Sequence, residues 1–451
     1  MDAVALARMQ FALTVGFHFV FPAITIGLVW LLVVFEWLGW RRDSSEWRRL
    51  GRFFGKLFAL TFAVGVASGI VMEFQFGSNW ASYSRFVGDI FGAPLAAEGV
   101  LAFFLESSFL GLYLFGRDRV SPAVHWFSIL MVAVGATLSA FWILVANSWQ
   151  QTPSGFAVEN GRAVLTDFSA AVFNPSMWPR FFHTLVASLI AGSFFAAGVS
   201  AWRVLAGRGA ELFSRSLKLS VTAGFAFSLM ALFPTGHFHA EQVAHTQPEK
   251  FAALEGLYEA EDTRSMVVFA VPSTDPPELH ARLAIPGLLG WLLYGDANAE
   301  IPSLEDFPPD ETPRGAELWL SFVSFHNMFI LGMLFIGLSG LGVLLVLRRR
   351  ATETGSFVSR WWLRLMVLAA PLPVIACELG WIAAEVGRQP WIVYRLLRTD
   401  QAASATVSAG EVLFSLIVFG AVYLSLGALW LWLLLREIRS ETAVAAEKEA
   451  R

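Results

Sequence analysis

One cysteine, Cys377, among 451 residues excludes a disulfide within the chain and any iron–sulfur cluster held by cysteines. Charge is scarce as well. Asp, Glu, Lys and Arg make up 15% of the chain, where a soluble domain of this size carries about 25%. The sequence has no G-x-x-x-x-G-K-[ST] phosphate loop, no G-x-G-x-x-G dinucleotide fingerprint and no H-E-x-x-H zinc pattern. Nucleotide-driven, nicotinamide-linked and zinc-peptidase chemistry therefore lack their usual carriers. The formal charge of −4 says little about partners, because the charges are sorted by side, and no nucleic-acid partner is expected. What is abundant is apolar: 56% hydrophobic residues, 14% aromatic and a mean hydropathy of +0.58. This is the composition of an all-α integral membrane protein.

Nine apolar segments are each long enough to cross roughly 30 Å of hydrocarbon as a helix. They lie at about 10–39, 53–77, 94–116, 123–147, 180–202, 217–237, 316–347, 362–385 and 410–435. The first exceeds the apolar core of a cleavable signal peptide. Lys and Arg are sorted by side. They crowd RRDSSEWRRLGR after the first span, Arg117 and Arg119, Arg203 to Lys218, Arg348–Arg350 with Arg360 and Arg364, and Arg436, Arg439 and Lys448. Positive charge marks the cytoplasmic face, so the N-terminus is expected outside and the C-terminus inside a multi-pass membrane protein. The chain then divides into six helices over 1–237, an external acidic, proline-rich loop over 238–315, three helices over 316–435 and a cytoplasmic tail over 436–451. The loop has no convincing periodic element; one so long is usually functional or disordered.

Ionisable groups within spans are expensive and mark function. Glu378 lies in PLPVIACELGWIAAEVGRQPW, His18 in FALTVGFHFVFPAITIGL, and Glu98 and Glu106 in GAPLAAEGVLAFFLESSFLGL. His183 follows in RFFHTLVASL and Met328 in SFHNMFILGM. At 1.5 Å per residue, His18, Glu98, His183, Met328 and Glu378 fall on five helices within roughly 5–20 Å of the outer surface. Taken singly, a buried histidine is more often a hydrogen-bonded core residue, and a methionine is more often filler. Their common depth is what implies one buried layer. A His/Met pair can hold a low-spin haem, and a lone His or a carboxylate leaves an iron position open for a small ligand. Glu106, with Ser107 and Ser139, could extend the layer as a proton relay. His237, His239 and His245 have metal-like spacing, yet their place at the mouth of the loop suggests a solvated set.

These segments resemble subunit I of the cytochrome bd-type quinol oxidases. The resemblance runs through all nine spans: RMQFALTVGFHF, GKLFALTFAVGVASGIVMEFQFGSNW, GDIFGAPLAAEGVLAFFLESSF, LSAFWILVANSWQQTP, FFHT and ELGWIAAEVGRQPW. It implies helices bundled around buried haems. His183 and Met328 would be the axial ligands of low-spin haem b. His18 and Glu378 would serve two high-spin haems, one b-type and one the chlorin haem d or a haem b in its place. Glu98 would stand beside them, and Arg388, Gln389 and Trp391 of the GRQPW stretch would contact cofactor. Glu106, Ser107 and Ser139 would deliver protons, and Lys250 and Glu255 in PEKFAALEGLYEA would bind quinol. Three departures stand out. The external loop is short, His326 occupies a place where a long-loop relative would have arginine, and Val374 stands where a tryptophan near the high-spin haems can occur.

The implied activity is that of a terminal respiratory oxidase. Ubiquinol or menaquinol is oxidised at the outer face and O2 is reduced to water with cytoplasmic protons. A second membrane subunit is the implied partner, with a small accessory subunit in addition. Two other readings are a proton-coupled transporter, which leaves His183 and Met328 idle, and a haem b quinol:acceptor reductase without oxygen chemistry.

Overall fold

The computed structural model describes residues 2–260, 263–348 and 357–440. Arg349, Arg350, Lys448 and the tail from 441 onward lie outside the described residues. Long apolar helices dominate because every backbone N–H and C=O in hydrocarbon must be paired within its own segment. They are α1 (Ala3–Arg41), α2 (Ser45–Ser78), α3 (Ala81–Phe115), α4 (Pro122–Gln151), α5 (Met177–Leu205) and α6 (Ala210–Thr246). After the loop come α8 (Ala316–Leu347), the pair α9 (Phe357–Ala369) and α10 (Leu372–Val386), and α11 (Ala409–Arg439). Eight of these are long and apolar enough to cross a membrane, and α9 with α10 supplies a ninth span bent by 40°. The bend falls at Pro371, ahead of Leu372 and Pro373, where proline removes donors from the helical ladder.

The helix starts carry local signals. Asp2 accepts from the Ala5 N–H at 2.7 Å, Ser121 precedes Pro122 at the first turn of α4, and Ser408 with Glu411 closes a capping box on α11. α5 is the most buried span and packs on α1, α6, α9 and α10. Gly27 and Gly192 mark the closest approach of α1 and α5. A Cβ on Gly27 would sit 2.0 Å from the Ser188 carbonyl oxygen, and one on Gly192 would sit 2.2 Å from the Gly27 carbonyl carbon. Small residues permit such contact between membrane helices. Where α1, α3 and α4 meet, the carboxylate of Glu36 accepts from Tyr113 at 3.0 Å and from Arg117, with His125 at 3.7 Å.

Two π-helical segments interrupt the spans, Glu98–Phe103 in α3 and Ala231–Gly236 in α6. Such bulges collect at functional positions.

The segment over 238–315 differs from expectation, because it is built from regular elements. α6 continues through it to Thr246, followed by α7 (Pro248–Glu255) and a hairpin of β3 (Met266–Thr274) and β4 (Pro277–Ile285). The hairpin is antiparallel from Met266↔Ile285 to Thr274↔Pro277. Val267, Ala270 and Phe322 form a small core beneath it, and His326 on α8 hydrogen-bonds the Val267 carbonyl at 3.1 Å. In the tautomer that donates from Nε2, His326 is a tether between the loop and α8; the other tautomer donates instead to the Phe322 carbonyl of its own turn. A second hairpin, Trp391–Val393 with Leu397–Arg398, follows α10. A third, β1 (Phe156–Glu159) with β2 (Arg162–Leu165), follows α4 and packs on α3.

Candidate functional site

One internal cavity of about 1540 Å³ runs through the bundle and out beneath α7. Its walls include His18, Glu98, Glu106, Ser139, His183, Met328, Lys250, Glu255, Arg388 and Gln389. Helices distant in sequence thus deliver these ten candidates to a common space, those on the spans because each sits on the inward stripe of an otherwise apolar helix.

At His18, the Ser68 hydroxyl gives its proton to backbone carbonyls (Val64 at 2.9 Å, Gly65 at 3.0 Å) and so accepts from His18 Nδ1 at 3.0 Å. That leaves the Nε2 lone pair for a metal, the arrangement in which a second partner fixes a ligating tautomer. Gly69 makes room for the ring, since a Cβ there would stand 3.1 Å from His18 Cε1. Glu98 accepts from Ser139 at 2.6 Å. Glu106 is buried and packs on Gly135 of α4.

His183 on α5 has a buried Nδ1 without a hydrogen-bond partner. Met328 on α8 also lines the cavity, and its sulfur lies where a Cβ on Gly380 would be, 2.8 Å away. His239 was expected in a solvated histidine set. Instead its ring lies 5.4 Å from that of His183, its Nε2 is buried and unpartnered, and it lines the cavity. His245 stacks edge-on against Tyr294, and no metal-binding cluster of three His, Cys, Asp or Glu occurs among the described residues.

Two other expectations change. Ser107 donates to its own turn, to the Phe103 carbonyl at 2.6 Å, and lies outside the cavity wall. Glu378 also lies outside the wall. One of its oxygens is buried without a partner, and the other is 3.6 Å from where a Cβ on Gly16 of α1 would be. The α10 carboxylate that does line the cavity is Glu385, seven residues on and so about 10 Å along the same face. Glu385 accepts from Asn147 at 2.9 Å and from Arg388 at 2.5 Å. Its spacing of three from Arg388 was the available signal. Glu73 on α2 and Arg180 on α5 are further wall residues that sequence reasoning passed over.

Beneath the loop, Lys250 is 2% exposed and donates to Gln151 at 2.8 Å. Burial, then the nearby Arg180, holds its ammonium well below the ordinary lysine range. Burial alone pushes the Glu255 carboxyl up to about 8. Tyr394 donates to Glu249 at 2.6 Å. Trp391 Nε1 and Arg388 Nη1 are buried without partners.

The donor set fits haem. An apolar-walled cavity holds a histidine with an orphaned nitrogen, a thioether on another helix, a second histidine with one nitrogen free, and glycines where bulk would collide. The site and fold define a multi-pass helical membrane protein built around a cavity lined by side chains of the types that can ligate a metal or carry protons. The sequence profile described as cytochrome bd terminal oxidase subunit I matches residues 6–442, and the chain belongs to that family. It is 41% identical to the cytochrome bd ubiquinol oxidase subunit 1 of Bacillus subtilis (strain 168), with 97% of this chain and 94% of that protein covered. It is 36% identical to the cytochrome bd-II ubiquinol oxidase subunit 1 of Escherichia coli (strain K12), at 94% and 93% coverage. Among solved structures, the bd oxidase from Geobacillus thermodenitrificans matches with a TM-score of 0.90 and 30% identity over 97% of this chain and 98% of that one.

Proposed function

We propose that this chain is the haem-carrying subunit of a quinol:oxygen oxidoreductase that works with a second membrane subunit. The observation that carries the reading is the continuity of the cavity. One space joins Lys250 and Glu255 under the loop to His183 and Met328, and these to His18, Glu98 and Glu106. A transporter would have no use for the paired histidine and thioether.

When bound, haem iron supplies the one-electron steps and the oxygen chemistry. The chain's own residues do the rest. His183 and Met328 hold a low-spin haem b. His18, through Nε2, and an α10 carboxylate hold the high-spin haems, a b-type and a d-type or second b-type. Glu378 is the carboxylate that the family resemblance implies, and Glu385 is favoured by its place in the cavity wall. Arg388, Gln389 and Trp391 steady the cofactor from the turn after α10. Lys250 and Glu255 bind the quinol, ubiquinol or menaquinol, under the loop. The basic flanks of the alternate helix ends support an N-terminus and loop outside and a C-terminus in the cytoplasm. Protons from quinol then leave outward, and Glu106 and Glu98 with Ser139 pass protons inward to the oxygen site. Charge is separated by the layout alone. Ser107 is the weakest member of that relay, given its bond to its own turn. A small accessory subunit completes the assembly.

The test is the purified complex with a reduced quinol. Oxygen uptake is expected, together with reduced-minus-oxidised bands for low-spin and high-spin haem and a carbon monoxide shift confined to the high-spin bands. A spectrum without haem bands, or without any carbon monoxide response, overturns the reading. Glu255 adds a pH signature. Its carboxyl is protonated below about 8 and becomes a base above it. The kcat/KM for quinol should rise with pH along a limb centred near that value, and Glu255→Gln should flatten the limb and lower kcat/KM by about a hundredfold. An unchanged limb in the variant removes Glu255 from proton transfer.

A further inference from the structure

Arg180, Lys250 and Arg388 are 5%, 2% and 4% exposed, and all three line the same cavity. Two of them spend their donors on neutral partners, Arg180 on the Asn147 amide oxygen at 2.9 Å and Lys250 on Gln151 and Gln247. Only Arg388 reaches a carboxylate, Glu385. Glu249 is outside the wall and is already engaged by Tyr394 and Arg395. Glu255 holds its proton at neutral pH. Glu98 is held by Ser139, eight residues and about 12 Å along α4 from Asn147. This end of the cavity therefore gathers three buried basic side chains, and the two arginines among them face one carboxylate, Glu385, so positive charge here lacks a full counter-charge. Buried charge without a counter-charge is among the most expensive arrangements a protein can hold.

Two of the cavity-wall arginines have unused donors. Arg180 Nε and Arg388 Nη1 are buried without a partner. Arg180 stands three residues before His183 on α5, one turn away on the same face.

We infer that Arg180 and Arg388, beside the Lys250 of the quinol site, form a cationic seat for the two propionate carboxylates of the haem held by His183. A haem brings two negative charges at its propionate edge, which would offset the positive charge there, and an arginine fork receives a carboxylate in bidentate fashion. The inference rests on the proposed haem at His183 and adds an orienting role: the seat fixes which edge of the macrocycle points toward α7 and α10. It also sets the potential. Reduction adds negative charge to the haem, and adjacent cations favour the reduced form.

The experiment compares Arg180→Gln, Arg180→Lys and the parent chain as purified complexes. Two readouts are taken, the midpoint potential of the low-spin band and the rate at which b-type haem passes to excess apomyoglobin. Arg180→Gln should keep a low-spin spectrum, because both axial ligands remain. Its midpoint should fall and its haem should leave about ten- to a hundredfold faster, the range of one charge-assisted hydrogen bond. Arg180→Lys keeps the charge and serves as the control for folding; it should recover most of the potential. An unmoved potential and an unmoved loss rate in Arg180→Gln overturn the seat. So does an effect confined to the KM for quinol, which would give these cations to the quinol instead. A parent complex without any low-spin band would instead refute the haem at His183, so the two failures are distinguishable.

Discussion

Met328→Leu yields an assembled complex whose low-spin b-type bands are lost or converted to high-spin, with the other haem bands kept. Leucine keeps nearly the volume of methionine and removes the thioether lone pair, so packing on α8 survives and coordination does not. Gly380 faces the sulfur closely enough that a Cβ there would collide with it. No other methionine among the described cavity-wall residues pairs with His183 in the proposed assignment. Changes to groups that merely orient a ligand cost about 10–100-fold in metal affinity or activity, and loss of the ligand itself should exceed that for quinol-driven oxygen uptake. The check is the reduced-minus-oxidised spectrum beside oxygen uptake. An unchanged low-spin band in the variant would remove Met328 from the iron.

Glu106→Gln should leave every haem bound and reducible while turnover falls by about a hundredfold or more, the scale of a proton-transfer group. Glutamine fills the same space and still hydrogen-bonds, but it cannot take up and release a proton in the accessible range. Glu106 is buried at the cavity wall against Gly135 of α4. If its role were to hold α3 on α4, glutamine would disturb haem content and activity together. The measurement is haem-normalised oxygen reduction beside the difference spectrum. Full haem with near-normal turnover would take Glu106 off the proton path.

The spans were legible because hydrocarbon imposes a long, uniform pattern that sequence displays directly. Their ends were less so: α1, α3 and α6 run beyond the apolar stretch into polar residues that packing keeps helical. The break between α9 and α10 was readable in Pro371 and Pro373, but apolarity continues straight through it. The β3–β4 hairpin was obscured by Pro272, Pro276 and Pro277, which read as loop although two of them sit within paired strands. His18, Glu98, His183 and Met328 were readable from depth on separate spans. His239 and Arg180 were not, because their significance lies in contacts between segments far apart in the chain. Glu385 and Glu378 share a face, so depth alone could not tell which reaches the cavity.

The π segment in α3 bears on what this stretch can tolerate. A straight α-helix turns about 100° per residue, so Glu98 and Glu106, eight residues apart, would point about 80° from each other. The bulge over Glu98–Phe103 takes up one extra residue. The effective separation becomes seven, and the two carboxylates come within about 20° of a common face. Val100 and Leu101 point outward, at 69% and 60% exposed, so their identities are loosely constrained. Their number is not. Removing either one would let the helix close into regular turns, and everything from Glu106 to Phe115 would rotate relative to α4. At Val100 and Leu101, descent can exchange side chains only while conserving the residue count.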